Sequence, residues 1–330
     1  MSVAVWPHIS PEELAIKVAE SLERDLQWVV EETITSCHDL KHGIEDCYAL
    51  LAPIDPGSTL VMSTQRNEKV KGTITRVGTR IIKGTLNLQL RTLPACQISI
   101  SSSEPIHIPA LDTLHTHLTQ AIDLLGLTLS SPSPPTAPSL ASALKLLSES
   151  ISDSLALLKG TPQDPDPDWQ TSSCPAHHFS PSLPPNMSVY MALQDSSLVL
   201  WLRVLEPADA PIALGTKLGL AIGTFRRLEH DEMDVLFRYH PEGDGRCEPK
   251  KGSLGAAGAV AGAGANGNAT PMSGGKELDP VQEVYVREKV RIESADPSLI
   301  SLHSKLGQLG HMLDLARHNL AALMGEDLDD

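Results

Sequence analysis

The sequence predicts an α+β protein: a helical bundle formed by N-terminal, middle and C-terminal helices, with a separate antiparallel β domain. Two observations lead there. Hydrophobic periodicity is helical over 11–51, alternates over 59–101, is helical again over 110–159, and alternates again over 187–205 and 284–292. The chain then ends on an apolar helical seam over 296–324 that needs something to pack on. The bundle is expected to unite 1–52, 110–160 and 296–325, and the β domain 53–109 and 180–295, each with its own core. An irregular linker is expected over 161–179, which is rich in proline.

The first helix is expected over 11–51. Ser10 and Glu13 form a capping box around Pro11. Leu14, Val18, Leu22, Leu26 and Val29 make an apolar stripe that Leu40, Ile44 and Leu51 continue, while Glu20, Glu23, Arg24 and Glu31 take other faces. Pro53 and Pro56 end the helix, and Gly43 is its expected weak point. Unbroken, it would be ~60 Å long.

Four short strands follow at 59–63, 70–77, 81–90 and 97–101. In the third, Leu86, Leu88 and Leu90 alternate with Asn87, Gln89 and Arg91, giving one dry face and one wet face. Gly78 and Thr79 suit a hairpin turn. Helices return over 110–129, with Leu111, Leu114, Leu118, Ala121, Ile122 and Leu125 on one face, and over 140–159, closed by Gly160. Met187, Val189, Met191 and Leu193 then alternate, and Asp195 and Ser196 turn the chain. The nearly continuous apolar run 198–205 reads as a strand covered on both faces. Weaker strands are expected at 217–222 and 234–239, and a strong one at 284–292. Between them, the Gly/Ala-rich stretch 241–280 cannot bury enough apolar surface to offset its ordering entropy, so a disordered loop is expected.

The last helix has a clear start and stop. Asp296 is the N-cap, Pro297 the first helical position, and Gly325 the stop. Leu299, Leu302, Leu306, Leu309, Leu313, Ala316, Leu320 and Leu323 recur three and four apart and keep one narrow seam on one side. A zipper between two copies would want complementary charges beside the seam. The flanks instead hold His303, Gly310 and Arg317 on one side and Lys305, Met312 and Asn319 on the other. Gly307 and Gly310 also weaken a free helix by about 1 kcal/mol each. The seam is therefore expected to pack on the first helix within one bundle.

Composition narrows the function. The 330 residues are 41% hydrophobic and carry a formal charge of −15, from 41 acidic and 26 basic side chains. That balance repels phosphate backbones and anionic lipid, so neither nucleic-acid binding nor membrane-surface binding is expected. No apolar run reaches the ~20 residues of a membrane helix, and no targeting segment is visible, so direct membrane insertion is not expected. Cys37, Cys47, Cys96, Cys174 and Cys247 are an odd number without a C-x-x-C pair and read as free thiols of a reducing, cytosolic compartment.

No motif argues for chemistry. Gly262, Gly264 and Gly267 match G-x-G-x-x-G, but a Gly/Ala tract precedes them where a strand is needed, and Pro271 follows where a helix is needed. Cys174, His177 and His178, or His38 with His42, lack the four convergent ligands of a structural zinc site. Asp164, Asp166 and Asp168 are interrupted by Pro165 and Pro167 and lack the distal glutamate of a calcium loop. Asp231, Glu232 and Asp234 beside His230 read as a hydrated loop. No nucleophile elbow, H-E-x-x-H, phosphate loop or kinase set is present. Neither an enzyme, a cofactor nor a bound metal is expected.

Several segments together resemble the Rogdi family, which includes the second subunit of the RAVE complex, the regulator of the vacuolar and endosomal H⁺-ATPase. They are Glu23-Arg24-Asp25-Leu26-Gln27-Trp28-Val29 with Glu31 and Glu32, Val70-Lys71-Gly72-Thr73-Ile74, and Leu118-Thr119-Gln120-Ala121-Ile122. The most distinctive is Phe179-Ser180-Pro181-Ser182-Leu183-Pro184-Pro185-Asn186, leading to Leu205-Glu206-Pro207, and the C-terminal leucine repeat also fits. The stretches 161–174 and 241–280 look like insertions in that pattern. The resemblance implies a bundle joining both chain ends, a β domain, and a non-catalytic adaptor role in ATPase assembly. It implies as partners a large β-propeller-containing RAVE subunit and subunits of the peripheral ATPase sector, with recruitment from the cytoplasm to vacuolar and endosomal membranes. The alternative from another class is a homodimeric coiled-coil tether. As a candidate partner corner, Phe179, Leu183 and Pro184 stand out, because flanking prolines limit the ordering entropy of docking. The plainer reading of that corner is a plug at the domain junction.

Overall fold

The computed structural model describes residues 9–54, 56–65, 68–131, 135–160, 173–208, 236–239 and 282–325. Among them are four long helices, α1 (Pro11–Leu50), α2 (Pro109–Leu129), α3 (Ala137–Lys159) and α4 (Pro297–Met324). The strands are β1 (Ser58–Ser63), β2 (Val70–Val77), β3 (Arg80–Leu88), β4 (Cys96–Ile100) and β5 (Ile106–His107) between α1 and α2. Between α3 and α4 come β6 (Phe179–Ser180), β7 (Met187–Gln194), β8 (Ser197–Pro207), β9 (Leu236–Tyr239) and β10 (Gln282–Ala295). The α+β class holds.

The helices close into a ring in which α1 and α3 each pack on both α2 and α4. Every neighbouring pair runs antiparallel. Asp46 of α1 meets Lys305 of α4 at 2.9 Å, and Arg317 of α4 donates to Ser148 Oγ of α3 at 2.9 Å. Ser150 Oγ of α3 donates to the His117 carbonyl of α2 at 3.4 Å, and the His115 ring lies 4.8 Å from that of Tyr48. This is an up-down-up-down bundle, with one set of strands inserted between α1 and α2 and another between α3 and α4.

Gly43 does not interrupt α1. A Cβ there would crowd the tip of Leu309, so the missing side chain leaves room for that leucine of α4. The first helix differs from expectation at its other end. Burial along its stripe begins only at Val29, and residues 11–20 are exposed throughout. The reason is length: α1 has 40 residues, whereas α2, α3 and α4 have 21, 23 and 28.

All strand pairs are antiparallel. One sheet runs β1-β2-β3-β4-β6, with β5 also on β3, and the other runs β7-β8-β10-β9. The apolar run of β8 lies between β7 and β10 and is buried on both faces apart from Trp201, which is half-buried. A register shift between Val286 and Glu288 inserts Arg287 as a bulge in β10.

Two junctions tie sheets to bundle. Asp195 and Ser196 take φ of 47° and 58° in the β7–β8 turn, and their N–H groups donate to the carbonyls of Lys159 and Leu158 at 2.8 Å each. A hairpin thereby caps the last carbonyls of α3. At the other junction, β10 leads directly into α4 beside β1, where the hydroxyls of Ser58 and Ser298 lie 3.2 Å apart. The main cluster of buried residues reaches from Leu40, Leu114, Leu147 and Leu306 to Ile74, Leu86, Val189 and Ile292, and Leu205, Val284 and Val286 form a second, small one. Helix and strand side chains thus share the main cluster.

The strand expected at 234–239 is seen over Leu236–Tyr239. The segments 217–222 and 241–280, and the linker over 161–172, lie outside the described residues.

Candidate functional site

The leucine seam is the first candidate surface, and its side chains face inward. Leu299, Leu302, Leu306, Leu309, Leu313 and Leu320 are buried and Leu323 is half-buried, on a helix whose neighbours are α1 and α3. The two cations among the flanking side chains find partners in this chain. Lys305 pairs with Asp46, and Arg317 reaches Ser148 with Asp314 at 3.8 Å.

At the seam's start stands a buried ion pair. Asp296 caps α4 through Oδ1, which accepts the Ser298 N–H at 3.0 Å, and its Oδ2 accepts from Arg76 Nε of β2 at 2.6 Å. Arg76 also donates to the Gly78 carbonyl. Both side chains are buried, so one partner without the other would leave an uncompensated charge. Glu288 repeats the device in β10. Its Oε2 accepts from the Arg91 N–H at 2.8 Å, the Thr92 N–H at 3.2 Å and Thr92 Oγ1 at 3.0 Å, while Oε1 lies 3.4 Å from Lys69 Nζ. Sequence reasoning missed Arg76 and Glu288, although a signal existed. Each shares the core-facing parity of its strand, Val70, Gly72, Ile74 and Arg76 in β2 and, past the bulge, Glu288, Val290 and Ile292 in β10. A charge in that register demands a buried partner.

The candidate corner lies largely inside the molecule. Phe179 is 4% exposed and Leu183 9%, both within the main core, while Pro184 is half-buried. Phe179 belongs to β6 and pairs with Ile100, which turns its ring into the core beside the sheet edge. The Phe179 and Leu183 side chains are thus spent on the interior.

The histidine turn gains an unforeseen neighbour. His178 Nδ1 lies 2.8 Å from the Glu104 carbonyl and donates to it, and His177 Nε2 lies 3.8 Å from Glu104 Oε2. Ligand atoms of Glu104, His177 and His178 fall within 4.8 Å of one another, on the surface. Three such groups could touch a cation; a closed structural zinc site takes four. The described cysteines are free, and burial pushes the Cys37 and Cys47 thiols up to about 11 and Cys174 to about 12. These three are not thiolate nucleophiles at neutral pH. Cys247 lies outside the described residues.

The outer surface carries a further feature. On the projecting half of α1, Leu14, Ile16, Val18 and Leu22 are about half exposed, and Trp28 is exposed at its base. No helix among the described residues is long and apolar enough to cross a membrane.

The sequence that folds this way, with both chain ends in one bundle and strands between, matches a known family. Residues 25–321 match the family model described as Rogdi leucine zipper containing protein. The chain belongs to the Rogdi leucine zipper family. A comparison with curated proteins finds no match. In this Rogdi family member, the match covers the bundle and both sheets and begins near the point where α1 enters the bundle. The leucine repeat fits the family's description, yet here it packs on α1 and α3 of its own chain.

Proposed function

We propose that this protein is a non-catalytic adaptor subunit of a RAVE-type complex, promoting assembly of the vacuolar and endosomal H⁺-ATPase from its peripheral and membrane sectors. The observation that carries the reading is the Rogdi family match along 25–321. The packing of α4 supports it, because a seam consumed inside the bundle leaves only outer faces for partners. On this reading the partners are a large β-propeller-containing subunit and subunits of the peripheral sector. The net charge of −15 favours basic patches on them and speeds encounter more than it tightens the complex. The protein works from the cytoplasm and is recruited peripherally to vacuolar and endosomal membranes.

The test is affinity recovery of the full chain from its own cells, with identification of co-purifying chains. Pump subunits of the peripheral sector and a large propeller protein are expected. A band that purifies alone, with pump assembly unaffected when the gene is deleted, contradicts the proposal.

A further inference from the structure

The seam that buries α1 in the bundle does not stop where the bundle stops. Val29, Thr33, Cys37, Leu40, Ile44 and Cys47 are its buried part, spaced three and four apart. Continued toward the N-terminus at the same spacing, it passes through Leu26, Leu22, Val18 and Ala15. The pairings of Asp46 with Lys305 and Gly43 with Leu309 run α4 antiparallel, and that register brings its last residue, Met324, only to about Trp28. About four turns of α1, roughly 22 Å, therefore project with the seam uncovered, Leu26 being the last of these to pack against the core. Val18 and Leu22 are 49% and 51% exposed there, and Leu14 beside them 52%.

Charge chooses among occupants. At about 100° per residue, Asp25 borders one side of this strip, and Glu12 and Glu23 border the other. The cations Lys17 and Arg24 fall on the far side, where Lys17 pairs with Glu13 at 3.2 Å and Arg24 Nε donates to the Glu20 carbonyl. A second copy would set these acidic borders against acidic borders, in a chain of net charge −15.

We infer that residues 14–26 of α1 are a docking strip for a helix of another protein, one with an apolar seam bordered by lysine or arginine. The partner helix would lie along the strip as a two-helix coil, extending the bundle's own seam across a chain boundary. This deepens the adaptor reading and rests on it, but a peptide titration can fail while pump assembly stands, and the reverse.

The test titrates full-length protein into two labelled synthetic helical peptides. They share one leucine seam and differ only in lysine or glutamate at the flanking positions; anisotropy is read at moderate salt. The lysine-flanked peptide should bind at least about tenfold more tightly, and high salt should erode the difference. Leu22→Asp should abolish binding without shifting the thermal midpoint, since that side chain is half exposed. As a second variant, Glu12→Lys/Glu23→Lys/Asp25→Lys should reverse the preference between peptides. Equal binding of both peptides, binding of neither, or unchanged binding by Leu22→Asp overturns the inference. So does a concentration-dependent dimer that Leu22→Asp dissolves, which would give the strip to a second copy. Strong hydrogen-exchange protection of residues 14–26 in the protein alone overturns it too, because the chain itself would then cover the strip.

Discussion

Arg76 and Asp296 are separated by 220 positions in sequence and joined at 2.6 Å, buried where a strand, a turn and a helix start converge. Removing one member strands the other in a low-dielectric site, so Asp296→Ala or Arg76→Ala should cost about 3–5 kcal/mol. Arg76→Met/Asp296→Leu should cost much less than the two single losses summed, in a double-mutant cycle by urea denaturation. The thiols make a pH prediction. Burial raises Cys37 and Cys47 from 9.0 to about 11, so above pH 9 the unfolded chain gives up protons that the folded chain keeps. The unfolded state then binds fewer protons, and stability falls as pH rises from 9 toward 11. Cys37→Ala/Cys47→Ala should flatten that alkaline decline, compared as urea midpoints against the wild type. At this scale the sequence was only half legible. Asp296 was readable as a cap from its place before Pro297, but its deeper partner was not, because pairing between β2 and α4 is set by tertiary closure.

Among the elements, the α1–α4 interface shows how glycines in facing helices can have opposite meanings. Nothing lies within 4 Å of a Cβ added at Gly307, whereas one added at Gly43 of α1 meets Leu309 at 2.4 Å. Gly307→Ala should therefore stabilise by up to about 1 kcal/mol through helix propensity alone. In the seam itself, Leu306→Ala should cost about 2–5 kcal/mol, read from the same denaturation curves. Most elements were legible from periodicity: β2 runs over Val70–Val77 as expected, and α4 starts and stops at its Asp296 and Gly325 caps. The uncovered half of α1 was not legible, because Leu14, Val18 and Leu22 read like Leu40 and Ile44 until the lengths of the opposing helices are known. The burial of Phe179 and Leu183 was hidden for a related reason. Proline-flanked apolar residues look alike whether they face a partner or a core, and only the pairing of β6 with β4 decides.

For the molecule as a unit, the bundle gathers helices from the start, middle and end of the chain, and the strands hang between them on a shared main core. The ends cannot be separated without opening that core, so unfolding should be a single cooperative transition for bundle and sheets together, seen as coincident curves by far-ultraviolet dichroism and tryptophan fluorescence. Both this architecture and the adaptor reading depend on the leucine repeat closing on its own chain. Multi-angle light scattering of the full chain and of Leu306→Asp/Leu313→Asp, with unfolding curves for each, decides whether it does. A monomer that loses its cooperative fold in the variant is expected; a dimer that the variant converts into a folded monomer would contradict it.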